Sequence, residues 1–110
     1  MKAGFDFGAK NFYAAVIDDA GVVFDASLAH NGNIEQTFMR MLDQMRAAVG
    51  FEQIETFGIT GNISVDGMKT LDPVITSVEA NRYLKTGSRN IFSIGCESFY
   101  LIRLDERFNY

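Results

Sequence analysis

Asp6 stands between Phe5 and Phe7 and is followed at once by Gly8-Ala9-Lys10-Asn11. A tight glycine turn lets backbone N–H groups approach a phosphate closely, and a carboxylate at the strand end beside it can hold the water shell of a magnesium ion. A carboxylate next to an apolar core is costly unless something compensates it, which favours such a role for Asp6 over that of a polar strand end. Lys10 either neutralises phosphate charge or is a solvated turn residue. Near the other end of the chain Phe92-Ser93-Ile94-Gly95-Cys96 has the same form, a strand running into a glycine turn, with Glu97 and Ser98 just beyond it.

Other chemistries have less to work with. The only histidine, His30, is a general base by chemistry alone, but it falls between a strand and a helix start with no nucleophile evident nearby and reads as a loop residue. The single Cys96 excludes an internal disulfide, cannot hold an iron–sulfur cluster by itself, and with His30 leaves too few soft ligands for structural zinc. Asp18-Asp19 reads as a solvated hairpin turn. A metal-dependent nuclease needs several carboxylates converging with Asp6, and no convincing set is present.

The elements that must position these residues follow from periodicity. Lys2–Asp6, Asn11–Ile17 and Val22–Ala29 read as three successive strands, an antiparallel meander with turns at Gly8-Ala9 and Asp18–Gly21. Ile34, Phe38, Met41, Leu42, Met45 and Val49 then recur at helical spacing, with Asn33 and Gln36 placed as a capping box and Gly50 as the stop. Met41 and Met45 lie on that apolar stripe and belong to the core. Phe57–Thr60 reads as a buried strand, and Asp72-Pro73 opens a helix that runs to about Lys85 and ends at Thr86-Gly87. Asn90–Ile94 is the next strand, and Ser98–Leu104 begins something new. Adjacent Phe99 and Tyr100 point to opposite faces, so an exposed ring there would mark an interaction surface. A meander followed by crossovers predicts an α/β, ribonuclease-H-like mixed five-stranded sheet, antiparallel meander plus parallel strands, with helices packed on it.

The 110 residues suit one core, with 47% hydrophobic and 22% charged residues and a single proline. Ten basic against 14 acidic residues give a net charge of −4 and a pI near 4.8, which disfavours nucleic acid. No run approaches a membrane span, and Asp6 interrupts any signal-like apolar region, so a soluble, cytoplasmic protein is expected.

Gly4-Phe5-Asp6-Phe7-Gly8-Ala9-Lys10-Asn11, Thr60-Gly61, Val74–Ser77 and Ser93-Ile94-Gly95-Cys96-Glu97-Ser98, closing with Ile102–Glu106, occur in the order and separation of a known pattern. The chain resembles the N-terminal lobe of the activator ATPases of 2-hydroxyacyl-CoA dehydratases and benzoyl-CoA reductases, in the actin, sugar-kinase and heat-shock-chaperone superfamily. The resemblance spans nearly all of the chain. It implies ATP and magnesium as cofactors, with Asp6 near the metal through water and Gly8, Lys10, Asn11, Gly95 and Glu97 on the nucleotide side. In that family ATP hydrolysis drives a conformational change that lets a reduced iron–sulfur cluster deliver an electron to a partner enzyme. The implied partners are therefore a CoA-ester dehydratase or reductase, a second copy in a homodimer, and the remainder of the chain's own polypeptide. The cluster's paired cysteines and the second lobe are not in this segment, so residues 1–110 read as a single lobe cut from a longer protein.

Several positions depart from the family pattern. Ala9, Lys10 and Asn11 stand where hydroxyl residues are usual, Ser93 stands for an aspartate, Cys96 for a glycine and Ser77 for a glutamate, with Glu79 two positions away. These departures point to a copy degenerate for hydrolysis, and a docking or self-association module on the same fold is the alternative.

Overall fold

A computed structural model describes residues 1–110, which divide into two compact units, Met1–Thr70 and Leu71–Tyr110. The first unit is built on β1 (Lys2–Phe7), β2 (Asn11–Asp18), β3 (Gly21–Ala29), α1 (Ile34–Ala48), β4 (Thr56–Gly61) and β5 (Lys69–Thr70). The sheet order is β3-β2-β1-β4-β5, antiparallel through the meander and parallel from β1 through β4 to β5. This is the mixed five-stranded sheet expected from the sequence.

Strict alternation makes β1 two-faced. Ala3, Phe5 and Phe7 turn into the core, while Lys2, Gly4 and Asp6 turn to the opposite face. Phe12, Ala14 and Val16 of β2 share the inner face with them. α1 covers this face with Thr37, Met41 and Met45, one helical step of four apart, and with Phe38, whose ring meets Phe5 and Phe7 edge-on at 5.5 and 5.1 Å. Phe7 also lies 4.3 Å from Phe12, ring centre to ring centre.

α1 begins where expected, but the capping box does not form. Asn33 occupies the cap position with ψ of 67°, outside the extended conformation from which a cap side chain reaches the first-turn amides, and it makes no such bond. The Thr37 hydroxyl instead donates to the Asn33 carbonyl at 2.7 Å. At the other end Val49 is already extended, and Gly50 opens a short 3-10 turn over Phe51–Gln53.

The second unit contains α2 (Pro73–Tyr83), β6 (Asn90–Ile94) and β7 (Phe99–Arg103). Asp72 caps α2 as its sequence predicts, accepting from the Val74 and Ile75 amides at 2.8 and 3.2 Å ahead of Pro73 in the first turn. Val74 and Val78 pack with Ile91, Tyr100, Ile102 and Leu104. Asn90–Ile94 does not join the first sheet: it pairs antiparallel with Phe99–Arg103, and the fifth strand is the two-residue Lys69–Thr70. The turn between β6 and β7 is short enough to close a hairpin, and a local hairpin forms at less entropic cost than a distant parallel pairing. No helix is long and apolar enough to cross a membrane.

Phe7 is 1% exposed and its ring is wedged among three other aromatic rings. Truncation by Phe7→Ala is expected to cost about 3–5 kcal/mol of folding free energy, read as a lower midpoint in urea unfolding.

Candidate functional site

The carboxyl ends of two adjacent parallel strands, β1 and β4, bring together the first group of candidate residues. Ligands gather at such ends because the strands deliver side chains and loops there with no helix in the way. Asp6 is paired in register with Thr60, so both side chains lie on the same face of neighbouring strands, away from α1. The floor around them is made of small residues: Gly4 pairs with Ala15 on one side and with Gly58 on the other.

Asp6 belongs to an exposed stretch of the sheet face, yet its carboxyl is partly shielded from water, and that desolvation raises it above the usual carboxylate range. Thr60 beside it has a buried hydroxyl with no hydrogen-bond partner. An orphaned hydroxyl next to a desolvated carboxyl is an arrangement that costs folding free energy and is relieved by a bound group. Thr60 joins the candidate site through this register, although the sequence assigns it no role beyond its place in the Thr60-Gly61 motif. Its signal was present, as a hydroxyl residue inside an apolar run and immediately before Gly61.

The turn after β1 is held by three separate bonds. The Gly8 amide donates to the Asn11 carbonyl at 3.0 Å, and a Cβ on Gly8 would lie 2.9 Å from that oxygen, so the turn closes tightly because residue 8 is glycine. The His30 amide donates to the Lys10 carbonyl at 3.1 Å. The His30 ring completes the brace: Nδ1 accepts from the Gly32 amide at 3.0 Å, which leaves Nε2 to donate to the Gly8 carbonyl at 3.2 Å. The ring is buried against Phe12, so His30 fastens the turn and is not a loop residue without a role. The Ala9 and Lys10 amides have no acceptor within the chain. Lys10 is exposed beside them.

Gly61 ties the end of β4 to the same place. Its φ is +102°, and a Cβ would fall 2.3 Å from the Phe7 carbonyl oxygen, which also accepts from the Asn62 amide at 2.9 Å.

The second group, Gly95 and Glu97, lies in the other unit. There the Gly95 amide donates to the Ser98 carbonyl at 2.8 Å, the same bond over the same span that Gly8 makes to Asn11. The two turns differ in charge, with Glu97 standing where the first has Lys10. No three carboxylate, imidazole or thiol groups converge anywhere in the chain, so a cation beside Asp6 would be held through water and the ligand's own oxygens.

Two outcomes follow. Gly61→Ala forces a side chain against backbone and is expected to lower stability by roughly 1–3 kcal/mol, measured by thermal or urea unfolding. For Asp6, the folded state holds the proton more tightly than the unfolded state, so the ionised carboxylate opposes folding above the ordinary carboxylate range. Asp6→Asn should therefore stabilise the protein at neutral pH, with a gain that fades as pH falls through that range, followed as the difference in unfolding midpoint across a pH series.

No family model and no curated protein matches the chain. Among solved structures it is similar to the activator of the 2-hydroxyisocaproyl-CoA dehydratase from Clostridium difficile with bound ADPNP, with a TM-score of 0.81 and 15% sequence identity. The match covers 98% of this chain and 42% of the activator's, so the chain spans less than half the length of that protein. Over these 110 residues its fold is that of a segment of a dehydratase activator, as the resemblance of its glycine turns implied.

Proposed function

We propose that the chain is the nucleotide-binding lobe of an ATP-dependent activator of a CoA-ester dehydratase or reductase. The observation that carries this reading is the braced Gly8–Asn11 turn at the carboxyl end of β1, with unaccepted Ala9 and Lys10 amides next to Asp6 and Thr60. Backbone amides and the Lys10 ammonium suit phosphate oxygens, and Asp6 suits the water shell of magnesium. The dehydratase activator of the same fold holds an ATP analogue, ADPNP, which supports the assignment.

In this reading Gly8, Lys10 and Asn11 form the phosphate side, and the Thr60 hydroxyl finds its missing partner in the bound group or its water. Gly95, in the other unit, closes a turn of the same shape. Glu97, in the same turn as Gly95, carries a charge that repels phosphate. Magnesium, when bound, would neutralise phosphate charge, and Asp6 is the residue that would hold it through water. Positioned phosphoryl transfer needs a fixed metal and a fixed nucleophile together, and these residues supply no nucleophile-positioning group. The 110 residues are therefore expected to bind nucleotide without appreciable turnover.

Amide NMR during titration with magnesium and ADPNP tests this. Shifts should concentrate at residues 6–11 and 60–62, Lys10→Ala should weaken binding several-fold, and Asp6→Ala should remove the dependence on magnesium. Absence of shifts at millimolar nucleotide would overturn the assignment, as would ATP turnover that Asp6→Ala abolishes.

A second reading, a docking or self-association module, is favoured by a different observation. One face of the β6–β7 hairpin is apolar and bare.

A further inference from the structure

His30 holds the Gly8–Asn11 turn by two of its carbonyls. The His30 backbone amide donates to the Lys10 carbonyl at 3.1 Å, and Nε2 of the ring donates to the Gly8 carbonyl at 3.2 Å. Nδ1 accepts from the Gly32 amide at 3.0 Å, so one tautomer alone, with the proton on Nε2, satisfies both ring nitrogens. The ring is buried and lies 4.7 Å from the Phe12 ring, centre to centre, which leaves it little room to turn away.

The imidazole is not what closes the turn. The Gly95–Ser98 turn closes with the same amide-to-carbonyl bond without a histidine, since the one histidine of the chain is bonded to Gly8. In the common β-turn the first carbonyl accepts from the fourth amide. Here the bond across the turn runs the other way, from the Gly8 amide to the Asn11 carbonyl, and the Gly8 carbonyl is bonded to the ring. What the ring adds is direction. The carbonyl and the amide of one planar trans peptide point opposite ways, and the chain has no cis peptide bonds. A Gly8 carbonyl held on His30 therefore aims the Ala9 N–H away from the imidazole, where it has no acceptor within the chain.

We propose that His30 is a positioning residue for an oxyanion: through the Gly8–Ala9 peptide plane it holds the Ala9 amide aimed at a phosphate oxygen of the nucleotide. The ring itself touches no ligand. An amide fixed before binding has less freedom to lose when the ligand arrives, and that preorganisation is what the bond contributes to affinity. The choice of ligand rests on the nucleotide-binding reading, whereas the direction of the amide rests on the chain's own geometry.

NMR of the 110-residue chain, with and without magnesium and ADPNP, is the test. In the free chain the ring nitrogens should show the shifts of the Nε2-protonated tautomer; an Nδ1-protonated ring overturns the proposal. An asparagine amide can take the place of Nδ1 and a glutamine amide that of Nε2, so His30→Asn keeps the bond to Gly32 and His30→Gln the bond to Gly8. The Gly8 carbonyl-carbon and Ala9 nitrogen shifts of the free chain should therefore stay near wild type in His30→Gln and move in His30→Asn. Nucleotide should slow exchange of the Ala9 amide in the wild type. His30→Gln should bind it as the wild type does, and His30→Asn about fivefold more weakly, the equivalent of one hydrogen bond. Urea unfolding separates this from stability, because each variant loses one ring bond and both midpoints should fall by similar amounts. A histidine that serves stability alone gives two variants of equal affinity, and that result overturns the proposal, as does bound nucleotide with Ala9 exchange unchanged. If the wild type binds no nucleotide, the nucleotide-binding reading falls and the free-chain shifts alone decide: movement in both variants, or in neither, overturns the aimed amide.

Discussion

The Phe7 carbonyl group is the point on which the first unit turns. Its oxygen accepts the Asn62 amide and sits where a Cβ of residue 61 would otherwise be, so it fixes where β4 ends relative to β1. Its side chain, on the other face, is the ring around which Phe5, Phe12 and Phe38 are arranged. One residue thus anchors both the inner packing and the outer edge. Asp6 and Thr60 owe their adjacency to this register, and the Gly8 turn departs from the same strand end.

The two glycine turns show how one backbone device is put to different uses. Both close with the same amide-to-carbonyl bond across three residues. The first follows a strand whose inner side chains are covered by α1, and it presents a lysine. The second follows a strand whose corresponding side chains are uncovered, and it presents a glutamate. A shared turn geometry therefore does not imply a shared ligand. Charge and covering decide what each turn can meet.

Much of the fold was legible in the residues, for identifiable reasons. The α1 stripe and the Asp72-Pro73 start are strong local signals, and both elements form where those signals place them. The fifth strand was misplaced because Lys69–Thr70 is short and polar, with no periodic signature, and gains its place only from pairing with β4. Asn33 has the right residue type for a cap, but its backbone conformation is set by the tight Asn31-Gly32 segment before it, where both φ angles are positive. Of the site, Asp6 and the glycine turn could be read from type and order. Thr60 carries a local signal as half of the Thr60-Gly61 pair, but its place beside Asp6 depends on a register between distant strands and on a hydroxyl that finds no partner.

His30 links two regions that the chain separates by some twenty residues. Its ring takes one bond from Gly32, at the approach to α1, and gives another to the Gly8 carbonyl. The approach to α1 and the Gly8 turn are thereby tied to one another through a single ring. Loss of this imidazole would strip the Gly8 carbonyl and the Gly32 amide of their partners at the same time, so the two ends of the tie loosen together.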